Sequence, residues 1–239
     1  MLAPDNFFDL RDAETAEFFA ACTHVWDVLP QLGRHVARLT GGVQTIHGEV
    51  MPGAYLGEQP VYIGAGARIE PGAYVQGPAY IGPDAVVRHG AFVRENVIML
   101  AGSILGHASE AKNALFLPGA HAPHFAYVGD SVLGHNVNLG AGTKLSNLGG
   151  LSEKDAQTGK RPSIVLTVDG VAIDTNLAKL GAILGDGVQT GCNTVLNPGC
   201  LVGPRTLIYA NLSLRKGVYP ADSLVKLRQT VQIVARRPG

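Results

Sequence analysis

One stretch of this chain, Ser109 to Asn147, gathers side chains that can move a proton, hold an anion and orient a hydroxyl. It reads SEAKNALFLPGAHAPHFAYVGDSVLGHNVNLGAGTKLSN and carries Glu110, Lys112, His124, Tyr127, Asn138 and Asn147. Histidine exchanges its proton near neutral pH, which suits it to relieve an attacking nucleophile of a proton. A carboxylate can orient an imidazole or hold its positive charge. Cations and hydroxyls are what a bound dianion requires, and amides can serve as donors or acceptors to ligand hydroxyls.

Such groups need a scaffold of repeated geometry. Ile63, Ile69, Val75, Ile81, Val87, Val93 and Met99 stand six residues apart, most followed by a Gly, Pro or polar turn group, as in IGPDAV and VRHGAF. A helix spaces apolar groups by three and four and a hairpin by two; neither gives six. Hexads signal a β-helix, in which six residues make one short strand and a corner, and coils stack because none can bury its inner face alone. Ile63, Ile81 and Met99 should then share one wall, about 4.8 Å apart per coil. Between Met99 and Val128 the rhythm slips, with Ile104, Phe116 and AHAPHF in place of clean hexads, and loops are expected there. It returns at Leu133, Leu139 and Leu145, leaves again over 146–178, and resumes at Leu184, Thr190, Leu196, Val202 and Ile208. Asp169-Gly170, between β-branched runs in that excursion, predicts a hairpin.

Residues 1–41 read as a helical hairpin. Asp12 can cap a first helix with an apolar face of Phe18, Phe19, Cys22, Val25, Trp26 and Leu29; Pro30 ends it and opens a second through Leu32, Val36 and Leu39 to Gly41. That face is expected to pack on the rest of the chain or on a neighbouring subunit. Residues 42–239 form the β-helix unit, with 146–178 as an insertion and 222–239 as a C-terminal cap whose SLVKLRQTVQIVARR supplies a final strand.

Composition narrows the function. Lys plus Arg and Asp plus Glu both number 19, so no basic surplus points to nucleic acid. With 46% apolar residues the chain is not disordered, and its 31 Gly and 14 Pro fit regularly spaced turns. Cys22, Cys192 and Cys200 are odd in number and lack CxxC spacing, so neither a disulfide framework nor a zinc knuckle is expected; they read as reduced thiols packed as small hydrophobes. The acidic start MLAPDNFFDLRDAE does not resemble a signal peptide, and no apolar run spans a bilayer, so a cytoplasmic location is expected.

The order and spacing of the motifs closely resemble the acetyltransferase half of the bifunctional bacterial enzyme family that makes UDP-N-acetylglucosamine. That family reads E-x-K-(K/N), then H-x-x-Y-(V/L)-G-D, then (I/L)-G-x-N-V-N-(I/L)-G-A-G-T, then an asparagine. Here the pieces are Glu110, Lys112 and Asn113; His124, Tyr127, Gly129 and Asp130; Asn138 through Thr143; and Asn147. The resemblance implies a left-handed parallel β-helix, to which the [LIV]-G-x4 hexads also conform, and a homotrimer with active sites between subunits. It implies N-acetylation of an amino-sugar 1-phosphate such as glucosamine 1-phosphate, with acetyl-CoA as co-substrate, no permanently bound cofactor and no metal. His124 would be the general base and Glu110 its partner. Arg94, Lys112 and Tyr127 would surround the phosphate, with Lys179 a further ligand across the insertion. Asn138 and Asn147 would orient the sugar and the attacking amine. The Ala141 N–H would polarise the thioester carbonyl, and hexads near Cys192 and Ala210 would line the pantetheine.

The chain also departs from the family. It has no G-x-G-T-R-M-type nucleotide loop, so no pyrophosphorylase activity is expected. The family's C-N-Y-D-G is here Ser146, Asn147, Leu148, Gly149 and Gly150, which removes a Tyr-Asp pair that helps hold the sugar. A nucleotide-linked amino-sugar acceptor and a non-catalytic assembly module are therefore alternatives. A carbonic-anhydrase-like zinc site, which shares this type of helix, needs an H-x4-H pair that His107, His121, His124 and His135 do not provide. His121 and the remaining histidines (His24, His35, His47, His89, His107 and His135) are read as structural.

Overall fold

A computed structural model describes residues 2–149 and 154–228. The hexads build a parallel β-helix with three walls. One wall is a nine-stranded parallel sheet; the other two share a fifteen-stranded sheet, because Glu110–Phe116 and Tyr127–Leu133 run continuously round the corner between them. The wall holding Val61–Ile63 is called the first, that holding Arg68–Ile69 the second, and that holding Tyr74–Val75 the third.

Inward residues stack coil upon coil. Ile63 pairs with Ile81, Ile81 with Met99, and Met99 with Phe116, as the period predicts for the first wall. On the second wall Ile69, Val87 and Leu105 follow one another, and on the third Val75, Val93 and Ala111. All ten are fully buried, so the inside is one continuous apolar core.

The loops expected between Met99 and Val128 are absent; the coil continues through them. Ile81 pairs with Ile63, eighteen positions back, whereas Phe116 pairs with Met99, only seventeen back. One residue is lost per coil at the corner from third to first wall, which shifts the hexad frame without interrupting the ladder. Leu105, not Ile104, faces inward, and Ala111, Ala114 and Ala122 occupy core positions beside the larger Phe116. Core volume is kept while the apolar pattern becomes hard to recognise.

The chain leaves the coil after Leu145 and makes an antiparallel hairpin, Val165–Val168 with Val171–Asp174, turning at Asp169 and Gly170, both with positive φ. It rejoins the first wall at Ala182–Leu184, which pairs with Tyr127–Leu133. A strand at Leu224–Val225 extends the second wall; the rest of the expected cap, 229–239, lies outside the described residues, as does Gly150.

At the other end α1 (Ala13–Phe19) starts at Asp12, whose carboxylate accepts from the Thr15 N–H at 2.8 Å. It stops sooner than its apolar face suggests. The Asp27 carboxylate accepts from the backbone N–H of Thr23 and His24, starting a fresh 3-10 turn, Val25–Gln31, that holds Pro30 and runs into α2 (Leu32–Thr40). Trp26, Val28, Leu29, Leu32 and Val36 bury themselves against Ile98, Leu100, Leu115, Leu117 and Val132, the outward residues of the first wall. The helices therefore dock on their own coil. Leu166 of the hairpin joins the same cluster with Ile183 and Leu201. Among the described residues no helix is long and apolar enough to cross a membrane.

Candidate active site

Two corners of the helix gather the candidate side chains. Between third and first walls, Arg94 and Lys112 occupy equivalent places in successive coils, and Lys112 pairs with Gly129 in the next. The Arg94 guanidinium donates to Glu110 at 3.0 Å and lies 3.6 Å from Glu95, while the Lys112 ammonium stands 3.3 Å from Glu95. The hydrogen bond to Glu110 raises the Arg94 pKa above its ordinary value. For Glu95 burial works upward, but its own backbone N–H, Lys112 and Arg94 together hold the carboxyl below the usual range.

Tyr127, half-buried, pairs with Glu110 across the coils. Burial, then the Glu110 and Asp130 carboxylates, pushes its phenol pKa up, so it serves as a neutral donor. Its hydroxyl reaches over Gly129 towards Asn147: a methyl at Gly129 would stand 2.6 Å from that oxygen and 2.8 Å from the Asn147 amide nitrogen. Asp130, 7% exposed, is the hub beneath. It accepts from Asn113 at 2.9 Å and from Asn147, and both Asp130 and Asn113 have positive φ, which short polar side chains tolerate. Lys179 reaches this edge by its neighbours, since Leu180 N–H donates to the Asn147 carbonyl and Gly181 N–H to that of Asp130.

The corner between second and third walls carries a column. Backbone N–H groups of Ala108, Phe125, Gly142, Asn193 and Asn211 donate to the carbonyls of His89, His107, His124, Ala141 and Cys192, so these five and Ala210 stand in line. The His89 and His107 rings stack at 5.5 Å, each anchored by Nδ1 to the carbonyl one coil below, and Phe125 meets His107 edge-on at 5.2 Å. His124 ends the ladder. Its ring is exposed and has no side-chain partner among the described residues. The Ala141 N–H, one coil on, likewise has no hydrogen-bond partner among them.

The structure thus collects the sequence-predicted residues into two groups: Arg94, Glu110, Lys112, Tyr127, Asn147 and Lys179 at one corner, and His124, Ala141, Cys192 and Ala210 at the other. Glu110 spends its hydrogen bond on Arg94. Asn138 joins neither group; it is exposed on the second wall, paired with His121 and Gln189. Cys200 is buried as expected for a packed thiol, Cys22 is intermediate, and Cys192 is exposed on the column.

Sequence reasoning missed Glu95 and the hub role of Asp130. It also missed Phe125, an exposed aromatic at φ 50° where the coils before and after have Gly90, Ala108 and Gly142. An aromatic at a glycine position of a corner is the signal that was available. Among the described residues no three His, Cys, Asp or Glu side chains converge as a metal site would require.

The comparisons agree with the repeat. Residues 60–95 match a family model described as bacterial transferase hexapeptide (six repeats). The chain is 34% identical over 229 residues to the bifunctional protein GlmU of Methanococcus maripaludis, covering 90% of this chain and 51% of that one. It is 37% identical over 158 residues to a bifunctional sugar-1-phosphate nucleotidylyltransferase/acetyltransferase of Sulfurisphaera tokodaii, covering 66% and 37%. To the uncharacterized acetyltransferase YaiX of Escherichia coli it is 39% identical over 158 residues, covering 64% and 65%. The chain spans about half, or less, of the length of the bifunctional relatives.

Proposed function

We propose that this chain, a hexapeptide-repeat transferase-family protein related to the GlmU-type proteins, transfers the acetyl group of acetyl-CoA to the amine of an amino sugar that carries a phosphate at C1. The observation that carries the reading is the column His124, Ala141, Cys192 and Ala210. A proton acceptor, an unengaged backbone N–H and two small exposed residues stand in line over three coil steps, about 14 Å. An extended thioester arm laid along that line would bring its carbonyl beside the Ala141 N–H, which suits an oxyanion donor.

The neutral amine attacks the thioester carbon; a C–N bond forms and the C–S bond breaks. His124 takes the amine proton, and CoA leaves as the thiolate, later protonated. Tyr127 and Asn147, aligned by Gly129 and Asp130, would orient the sugar, and Lys179 would supply positive charge on that side, where Arg94 and Lys112 are held by Glu110 and Glu95. Base and acceptor corners bound opposite edges of the third wall, so a second copy facing that wall completes the site; a cyclic homotrimer is part of the proposal. The implied setting is UDP-N-acetyl-sugar biosynthesis, with no nucleotidyl transfer by this chain.

A thiol-release assay with acetyl-CoA tests it, using glucosamine 1-phosphate, galactosamine 1-phosphate and free glucosamine. Turnover with a sugar phosphate should fall by about 10²–10⁴-fold in His124→Ala, the usual worth of a general base. Because His124 is exposed, the variant should melt like the parent. No turnover with any of the three or with a nucleotide-linked amino sugar, or turnover untouched by the substitution, would reject the assignment.

A further inference from the structure

The acceptor corner does not end at Asn147. Register carries it on through Ser146, Asn197 and Arg215, each in the place that Lys112 and Gly129 hold in earlier coils. There the inserted hairpin stands off the coil and borders an open pocket of about 850 Å³. Ile164 and Val165 form its hairpin side; Asn197, Ser213, Arg215 and Lys216 form its coil side.

Three properties of this pocket identify its ligand class. The first is charge. Arg94 and Lys112 already face Glu110 and Glu95, whereas Arg215 and Lys216 have no ion-pair partner and no acidic residue lines the pocket, among the described residues. Lys216 donates one N–H to the Val165 carbonyl at 3.0 Å and has two more to offer. Adjacent cations of this kind suit adjacent phosphates. The second is size and texture: the volume is in the range of pockets for multi-ring ligands, roughly 300–1,000 Å³, and the apolar hairpin face can cover a base or ribose. The third is reach. Asn147 to Arg215 spans two coil steps, about 10 Å, so a ligand with its sugar at Tyr127 and Asn147 would place a diphosphate at Arg215.

We propose that this pocket is a subsite for the nucleoside diphosphate part of the acceptor, so that the amino sugar presented to His124 is nucleotide-linked. The inference rests on the acyl-transfer reading and names its substrate class. The inserted hairpin is what would make the difference between a sugar phosphate and a nucleotide sugar, since it supplies one side of the pocket.

Binding can be measured without turnover. Isothermal titration of the full chain with UDP, GDP and dTDP, and separately with CoA and inorganic phosphate, should show one of the diphosphates saturating one site per chain. The double variant Arg215→Ala/Lys216→Ala should weaken it by about tenfold or more, the worth of a charge-assisted contact. Ser213→Trp, which fills the pocket from an exposed position, should do the same, while Arg205→Ala, a cation on another corner, should leave it unchanged. Absence of saturation by all three diphosphates, or binding indifferent to the pocket variants, overturns the inference. So does CoA binding that the same variants abolish, which would make this the donor's phosphate site. Diphosphate binding without acetyl transfer would leave the pocket standing and reject the reaction; transfer to glucosamine 1-phosphate without diphosphate binding would do the reverse.

Discussion

Gly129 and Asp130 are neighbours with opposite sensitivities. The atoms nearest to a methyl at Gly129 all belong to two side chains, the Tyr127 hydroxyl and ring edge and the Asn147 amide, and none to the backbone, so the strain falls on these two groups before it reaches the coil. Gly129→Ala should therefore keep its melting temperature yet lose about 10- to 100-fold in kcat/KM for the acceptor, as misplaced orienting groups do. Steady-state kinetics beside a thermal melt would show it, and an unaltered kcat/KM would remove Tyr127 and Asn147 from the site. Asp130→Ala instead strips the acceptor from two part-buried amides, Asn113 and Asn147, and should cost about 1–3 kcal/mol in urea unfolding. The residue types of this site were legible because His124, Tyr127 and Glu110 keep family spacing along the chain. Glu95 and the Asp130 hub were not, because their partners sit one coil away, and contacts across coils leave no local spacing to read.

At the scale of elements, the segment leading into α1 is pinned to the coil by one histidine. The His135 Nδ1 faces Asp186 at 2.9 Å, its Nε2 faces the Thr15 hydroxyl at 3.2 Å, and the second Asp186 oxygen accepts from the Asp9 N–H at 2.7 Å. Asp12 and Arg205 line the same recess. The hydrogen bond to Asp186 raises the His135 pKa against the opposing effect of burial, with Asp186, Asp12 and Asp9 adding charge attraction. A raised folded-state pKa gives stability that is fully present below the ordinary imidazole range, about pH 6.5, and is lost as pH rises through the higher folded value. Melting temperature should fall across that window, and His135→Gln should flatten the slope. A wild-type slope retained in the variant would place the titration elsewhere. Elements of this kind were partly readable. Period six gave the coils, Asp12 the α1 cap and Asp169-Gly170 the hairpin, since each is a local rule. The seventeen-residue coils were not, because the residue is lost between Ala111 and Ala114, where alanines hold the core positions and no large apolar side chain marks the frame.

Over the whole molecule, the three outer faces are treated differently. The first wall is sealed by α1, α2 and the hairpin, which bury Ile98, Leu115, Val132, Ile183 and Leu201, so it offers nothing to a second copy. Among the described residues no element covers the third wall. It carries Tyr55, 64% exposed, and Tyr74, 40% exposed, the latter stacked on Phe92 at 5.4 Å, and this aromatic column runs directly into Glu110 and Tyr127 in the following coils. An uncovered aromatic strip leading to a site whose two halves lie on opposite edges of that same wall is where a subunit contact would both bury apolar surface and bring base to acceptor. Light scattering after size exclusion should give three chain masses at micromolar concentration. Tyr74→Glu, which puts a charge in the middle of the strip without touching the core, should shift the mass to one chain and abolish acetyl transfer while leaving the melting of the coil in place. A monomeric parent, or a trimer indifferent to Tyr74→Glu, would move the subunit contact to another face and require one chain to bring its own two corners together.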